Sequence, residues 1–165
     1  MTVTRTRAYL VAFGIMLGNT ILGPSTLQAA ESLKVYHPDV QTVLTTKGSD
    51  GHQLGDLRVT SVPVADASGA NIGRLDATLI TTGLDHPAKG DETRISELVF
   101  TLNNGSVLII GGTGHYPAQG ATLSRGTALE RPIKGGAGAY AGARGVAESI
   151  RGVNGGWTHE FKLKD

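Results

Sequence analysis

The stretch from Pro132 to Gly145, PIKGGAGAYAGARG, narrows the choice of fold more than any other part of the chain. Glycines at 135, 136, 138, 142 and 145 let its backbone take positive φ values and approach other backbone closely. A flexible linker would be polar and serine-rich. This run instead carries Ala137, Ala139, Tyr140, Ala141 and Ala143, and it leads straight into a strand-like segment from Arg144. It reads as a shaped turn at the mouth of a β-barrel.

The flanking chain has the rhythm of hairpins. His52–Val64 ends at the turn cluster Asp66-Ala67-Ser68-Gly69 and returns as Ile72–Thr82, followed by a polar loop from Leu84 to Glu92. Asn103-Asn104-Gly105 joins Arg94–Leu102 to Ser106–Ile110 and is the strongest short hairpin signal in the chain. Val107 to Ile110 are apolar on both faces, which marks a central strand. Gly111–Gly120 reads as a glycine-rich bend and Ala121–Leu129 as a strand leading into the corner. Arg144–Ile150 and Trp157–Leu163 flank a third turn, and the last strand alternates, with Trp157, His159, Phe161 and Leu163 on one face.

No helical period follows residue 31, so the expectation is an all-β domain. The short strands and regular turns fit a single antiparallel barrel or sandwich, and a barrel of about eight strands would be just wide enough to hold one small ligand. The 24 glycines lack a collagen-like period and fit hairpins and bulges. Arg5 and Arg7, the apolar run Ala8–Gly18 and the small-residue segment ending at Ala29-Ala30 form the order of a secretory signal. The divisions that follow are a signal peptide over 1–30, an N-terminal extension over 31–51 and the barrel over 52–165, with the mature protein secreted and no membrane anchor left after cleavage.

Several function classes drop out. A net charge of +1 provides no footprint for nucleic acid. With no cysteine and five scattered histidines there is no thiol chemistry and no local zinc motif, so no metal site is expected. The glycine runs are not followed by Lys-Ser/Thr, and GxSxG does not occur. No cofactor is expected.

Leu54-Gly55-Asp56-Leu57, then Gly69 and Ile72-Gly73, and above all Gly135-Gly136-Ala137-Gly138-Ala139-Tyr140-Ala141-Gly142-Ala143-Arg144-Gly145 resemble the allene oxide cyclase and dirigent superfamily, over roughly His52 to Leu163. The resemblance implies an eight-stranded barrel around an apolar cavity, assembled as a trimer in plants, that steers a reactive small molecule through cyclisation, coupling or isomerisation. It keeps the arginine of the corner as Arg144. It departs where plant cyclases have a proline and an asparagine, here Val59 and Val62, and where dirigent proteins have a cavity-facing acid, here Ala139.

Candidate site residues follow from both readings. Arg144 starts a strand, where its guanidinium could hold a ligand carboxylate or enolate, or could pair outward with Glu148. Glu148 shares that face; inside an apolar barrel it would serve acid/base chemistry, and on the outer wall it would be solvated. Asp56 could present a carboxylate to the cavity or bind the amides of its own turn. Tyr140 is a ligand contact or a plug for the barrel's end. His115 and Tyr116 follow a glycine bend near the expected mouth, and His159 shares the apolar face of Trp157 and Phe161. The expected partner is a small apolar molecule, either turned over or merely carried.

Overall fold

The computed structural model describes residues 32–40, 42–45, 52–84, 91–117 and 122–164. The segment read as a signal peptide and residues 85–90 of the polar loop lie outside the described residues. The strands are β1 (Ser32–His37), β2 (Val43–Thr45), β3 (Leu57–Ala65), β4 (Asn71–Leu84), β5 (Asp91–Leu102), β6 (Val107–Pro117), β7 (Ala128–Ala137), β8 (Arg144–Arg151) and β9 (Trp157–Lys164), with a short 3-10 turn at Gly138–Tyr140 between β7 and β8. All neighbours are antiparallel in the order β1-β9-β8-β7-β6-β5-β4-β3-β2.

Pairing of Tyr36 in β1 with Ala65 in β3 closes β1 and β3–β9 into an eight-stranded barrel. β2 is the extra strand and lies along the start of β3, with Val43 opposite Val59. The barrel therefore begins at Ser32, inside the stretch read from sequence as an extension. Closure matters because it removes the free sheet edges that an open set of strands would expose.

One end of the barrel is packed solid. Val35, Val64, Phe100, Leu108, Ile110 and Phe161 are each at most 1% exposed, and the rings of Phe100 and Phe161 meet edge-on with centroids 5.0 Å apart. Burying each such side chain is worth about 1.5–3 kcal/mol. The expected Asn103-Asn104-Gly105 hairpin closes this end, with Gly105 at φ 81° and Leu102 N–H donating to Ser106 O at 2.8 Å.

The glycine corner also belongs to this closed end, not to a mouth. Its turn is shorter than the sequence suggested, because β7 runs through Pro132 to Ala137 before the chain reverses at 138–143. Pro132 is tolerated there because the β6–β7 ladder runs no further than Ile133. A Cβ at Gly136 would lie 2.5 Å from the carbonyl oxygens of both Val107 and Tyr140. That close approach lets Tyr140 fold back against the apolar core. The glycines at 111, 112 and 114, read as a bend, lie within β6; a Cβ at Gly111 would stand 2.6 Å from Ser96 O, so they permit close strand contact instead of a turn.

Candidate functional site

Toward the opposite end the same inward parity carries polar side chains. In β5 the residues in step with Leu98 and Phe100 are Ser96, Arg94 and Glu92, all buried. In β3 Arg58 is in step with Val62 and Val64, and in β4 Thr81 is in step with Leu75 and Ala77. The barrel wall gives these groups no water, so they must satisfy one another.

They do so around Glu92. Its carboxylate accepts from His52 Nδ1 (2.9 Å), Thr81 Oγ1 (2.8 Å) and Arg94 Nε (2.7 Å), with Arg58 Nη2 at 3.4 Å. Arg58 Nη1 donates to Thr81 Oγ1 at 2.9 Å and Arg94 Nη2 to Pro117 O at 3.2 Å. Burial pushes the Glu92 carboxyl up, but the hydrogen bonds from His52, Arg94 and Thr81 outweigh it and hold the group below its usual value. Glu92 is thus an ionised charge clamp, poorly suited to shuttle protons.

From this clamp the polar path turns inward. The Arg94 guanidinium lies 4.8 Å from the centroid of the Tyr116 ring. The Tyr116 hydroxyl accepts from Arg131 Nη2 at 2.5 Å, and Arg131 Nε donates to Ser96 Oγ at 3.0 Å. Deeper in β8 and β9, Ser149 Oγ lies 2.9 Å from His159 Nδ1, and His159 Nε2 lies 3.0 Å from His37 Nε2. His37 Nδ1 lies 2.7 Å from Pro38 O, which can only accept.

That last contact sets the tautomers. His37 carries its proton on Nδ1 and accepts at Nε2, so neutral His159 donates from Nε2 and accepts at Nδ1 from the Ser149 hydroxyl. One added proton is accommodated, since the Ser149 hydroxyl can turn from donor to acceptor. A second would set two N–H groups against each other. Burial lowers the pKa of both imidazoles, and for His159 His37 and Arg131 add to the effect, so the pair is neutral at pH 7.

These groups border a cavity of about 50 Å³. His37, Tyr116, Arg131, Trp157 and His159 form its polar wall, and Leu75, Ala77, Leu79 and Leu98 its apolar one. Thr60 of β3, Val40 and Thr42, between β1 and β2, and Thr122, between β6 and β7, complete it. The β1–β2 connection is fixed by Asp39, which accepts from Arg151 Nε (3.1 Å) and Arg125 Nη2 (3.3 Å). The Trp157 and His159 rings are near-parallel at 6.0 Å, with His37 stacked on both.

The structure divides the sequence candidates. Tyr116 and His159 line the cavity. Tyr140 plugs the closed end. Asp56 is buried and its Oδ2 accepts from Gln53 N–H at 3.1 Å, which ties the turn before β3. His115 is exposed on the outer face of β6, with Nδ1 3.4 Å from Thr93 Oγ1. Arg144 is exposed and Glu148 shares its outward parity, because Ala147 and Ser149 are the inward residues of β8. Neither reaches the cavity.

The physical reason is size. Ala147 and Ser149 sit opposite Phe161 and His159 of β9, whose bulk fills the interior, so small residues point in and Val146 and Ile150 are left outside. The arginine that does stand at the cavity is Arg131. Sequence reasoning passed over it along with His37, Arg58, Glu92 and Arg94; polar residues held in step with apolar ones along a strand were the available signal.

No protein-family model matches the chain, and no curated protein matches it by sequence. Among solved structures it is similar to a pyocyanin demethylase, with a TM-score of 0.64 and 18% identity over 81% of this chain and 100% of that one. It is also similar to the exo-specific intermolecular Diels-Alderase AbnU (TM-score 0.56, 15% identity, 81% and 96% covered) and to a pterocarpan synthase dirigent protein (TM-score 0.56, 16% identity, 81% and 87% covered). At such identities the likeness is one of fold. The chain folds as the dirigent-type barrel that its glycine corner led us to expect.

Proposed function

We propose that this barrel binds a small, mostly apolar, unsaturated molecule at the cavity beside His37 and His159 and steers its cyclisation or isomerisation. The observation that carries the reading is the interior itself: one end is filled by side chains, while the other keeps a cavity whose apolar wall faces a guanidinium, a phenol and a hydrogen-bonded histidine pair. In such a site orientation and exclusion of water supply most of the rate, and the histidine pair offers a place for one proton. A ring-sized ligand in this cavity would lie against Val40, Thr42 and Thr122 as well as the apolar wall.

A second reading, a carrier that turns nothing over, is favoured by one feature. Among the described residues Arg131 is the only formally charged one lining the cavity, and no carboxylate joins it. In either case we read the chain as secreted, on the strength of Arg5, Arg7 and the apolar run after them. We also read it as a homo-oligomer, supported by the exposed Ile80 and Ile95 paired across β4 and β5.

Native mass spectrometry of the protein secreted by its own host tests all of this at once. A retained small molecule supports the binding site, and a substrate-like and product-like pair supports turnover. A monomer with no ligand retained, and no response of Trp157 emission to aromatic or polyene probes, overturns the reading.

A further inference from the structure

Charge inside this barrel is balanced at one place and not at another. Among the described residues the buried charged side chains are Asp56, Arg58, Glu92, Arg94 and Arg131, which makes three guanidiniums to two carboxylates. Arg58 and Arg94 converge on Glu92, and Asp56 acts electrostatically on Arg58. Arg131 appears in none of the ion pairs among the described residues. Its bonded neighbours, the Ser96 hydroxyl and the Tyr116 phenol, are both neutral.

Two hydrogen-bond donors are also unmatched. Arg131 Nη1 and Trp157 Nε1 are buried with no acceptor among the described residues, and both side chains line the cavity. A buried donor without an acceptor is costly, and a buried cation without an anion more so. A water would answer the donors but not the charge. The histidine pair cannot answer it either, because its acceptor positions are taken by Ser149 and by the pair itself.

From this geometry we infer that the cavity takes an anionic oxygen of its ligand, a carboxylate, phenolate or enolate on a small unsaturated molecule, with Arg131 Nη1 and Trp157 Nε1 as its donors. The inference rests on the binding role proposed above and names the ligand's chemistry. Leu75, Ala77, Leu79 and Leu98 suit the apolar remainder of such a molecule and exclude a fully hydrated inorganic anion as the preferred occupant.

Trp157 is the chain's only tryptophan, so its emission reports this site alone. The full-length mature protein is titrated with benzoate and, separately, with benzyl alcohol, which keeps the ring and replaces the anion with a neutral hydroxyl. The expected result is saturation by benzoate at a concentration at least about tenfold lower, the worth of one charge-assisted hydrogen bond. Arg131→Met should erase that preference while leaving the response to benzyl alcohol. Should Arg131→Met fail to fold, the wild-type pair of titrations decides the matter alone. Equal half-saturation by the two probes overturns the anion site and leaves the apolar binding site standing. No response to either overturns both.

Discussion

The two ends of this barrel share one sheet and one inward parity, yet they spend their interior differently. At the closed end Phe100, Phe161, Leu108, Ile110, Val35 and Val64 interdigitate, and the glycine corner folds Tyr140 over them. At the other end the same strands carry Glu92, Arg94, Arg58, Thr81 and Arg131 inward. Apolar packing stabilises without directing anything to a particular atom. Buried charge costs stability unless each group is matched, and here Glu92 matches Arg58 and Arg94. Apolar packing is concentrated at one end and buried charge at the other.

Substitutions separate the two. Phe161→Ala should lower the unfolding free energy by about 3–5 kcal/mol in urea denaturation, the cost of a large cavity in a packed core. Glu92→Gln should cost about 3 kcal/mol, because it leaves Arg58 and Arg94 without their shared anion. Adding Arg94→Met should recover part of that loss, and no second truncation at the closed end should do the same for Phe161→Ala. Equal behaviour of the two ends in this test would remove the distinction between them.

Gly145→Ala probes the corner. Gly145 has φ 135° and an added Cβ would lie 2.1 Å from Lys162 O, so the variant should lose roughly 1–3 kcal/mol, measured as a drop in denaturation midpoint. Acid should act on the polar end. Folded His37 and His159 have pKa values below 6.5, so below that pH the unfolded chain binds more protons than the folded one. Stability is therefore fully present above about pH 6.5 and falls as the pH drops toward the folded values, at up to about 1.4 kcal/mol per pH unit for each histidine. Replacing His159 by Gln should make that profile shallower. The smallest effects belong to the outer wall: Arg144→Ala and Glu148→Ala should each stay within about 0.5 kcal/mol of wild type and leave the Trp157 titrations unchanged.

Much of the fold was legible from the residues. The Asn103-Asn104-Gly105 turn, the alternation of Trp157, His159 and Phe161 and the glycine corner each encode local geometry, and local geometry is what sequence states most directly. A closed eight-stranded barrel was expected too, but not the strand that closes it: β1 lies in the stretch read as an extension and meets β3 and β9 across long separations that no short-range signal records. The site was half legible. Tyr116 and His159, singled out beside recognisable glycines and aromatics, are the two candidates that the structure places on the cavity wall. Arg144 and Glu148 were assigned inward promise from a strand whose apolar Val146 and Ile150 face out, since bulk on β9 and not hydrophobicity on β8 decides which side points in. Glu92 read as loop because the polar segment before it hid the start of β5.

The most direct test of a ligand site at the polar end is the single Trp157 indole N–H resonance in a proton–nitrogen correlation spectrum, followed as benzoate is added. We predict that it moves progressively and saturates while the amides of Gly138 and Gly142 at the closed end stay in place. An unmoved indole, with shifts confined to outward-facing residues such as Arg144, would contradict the account.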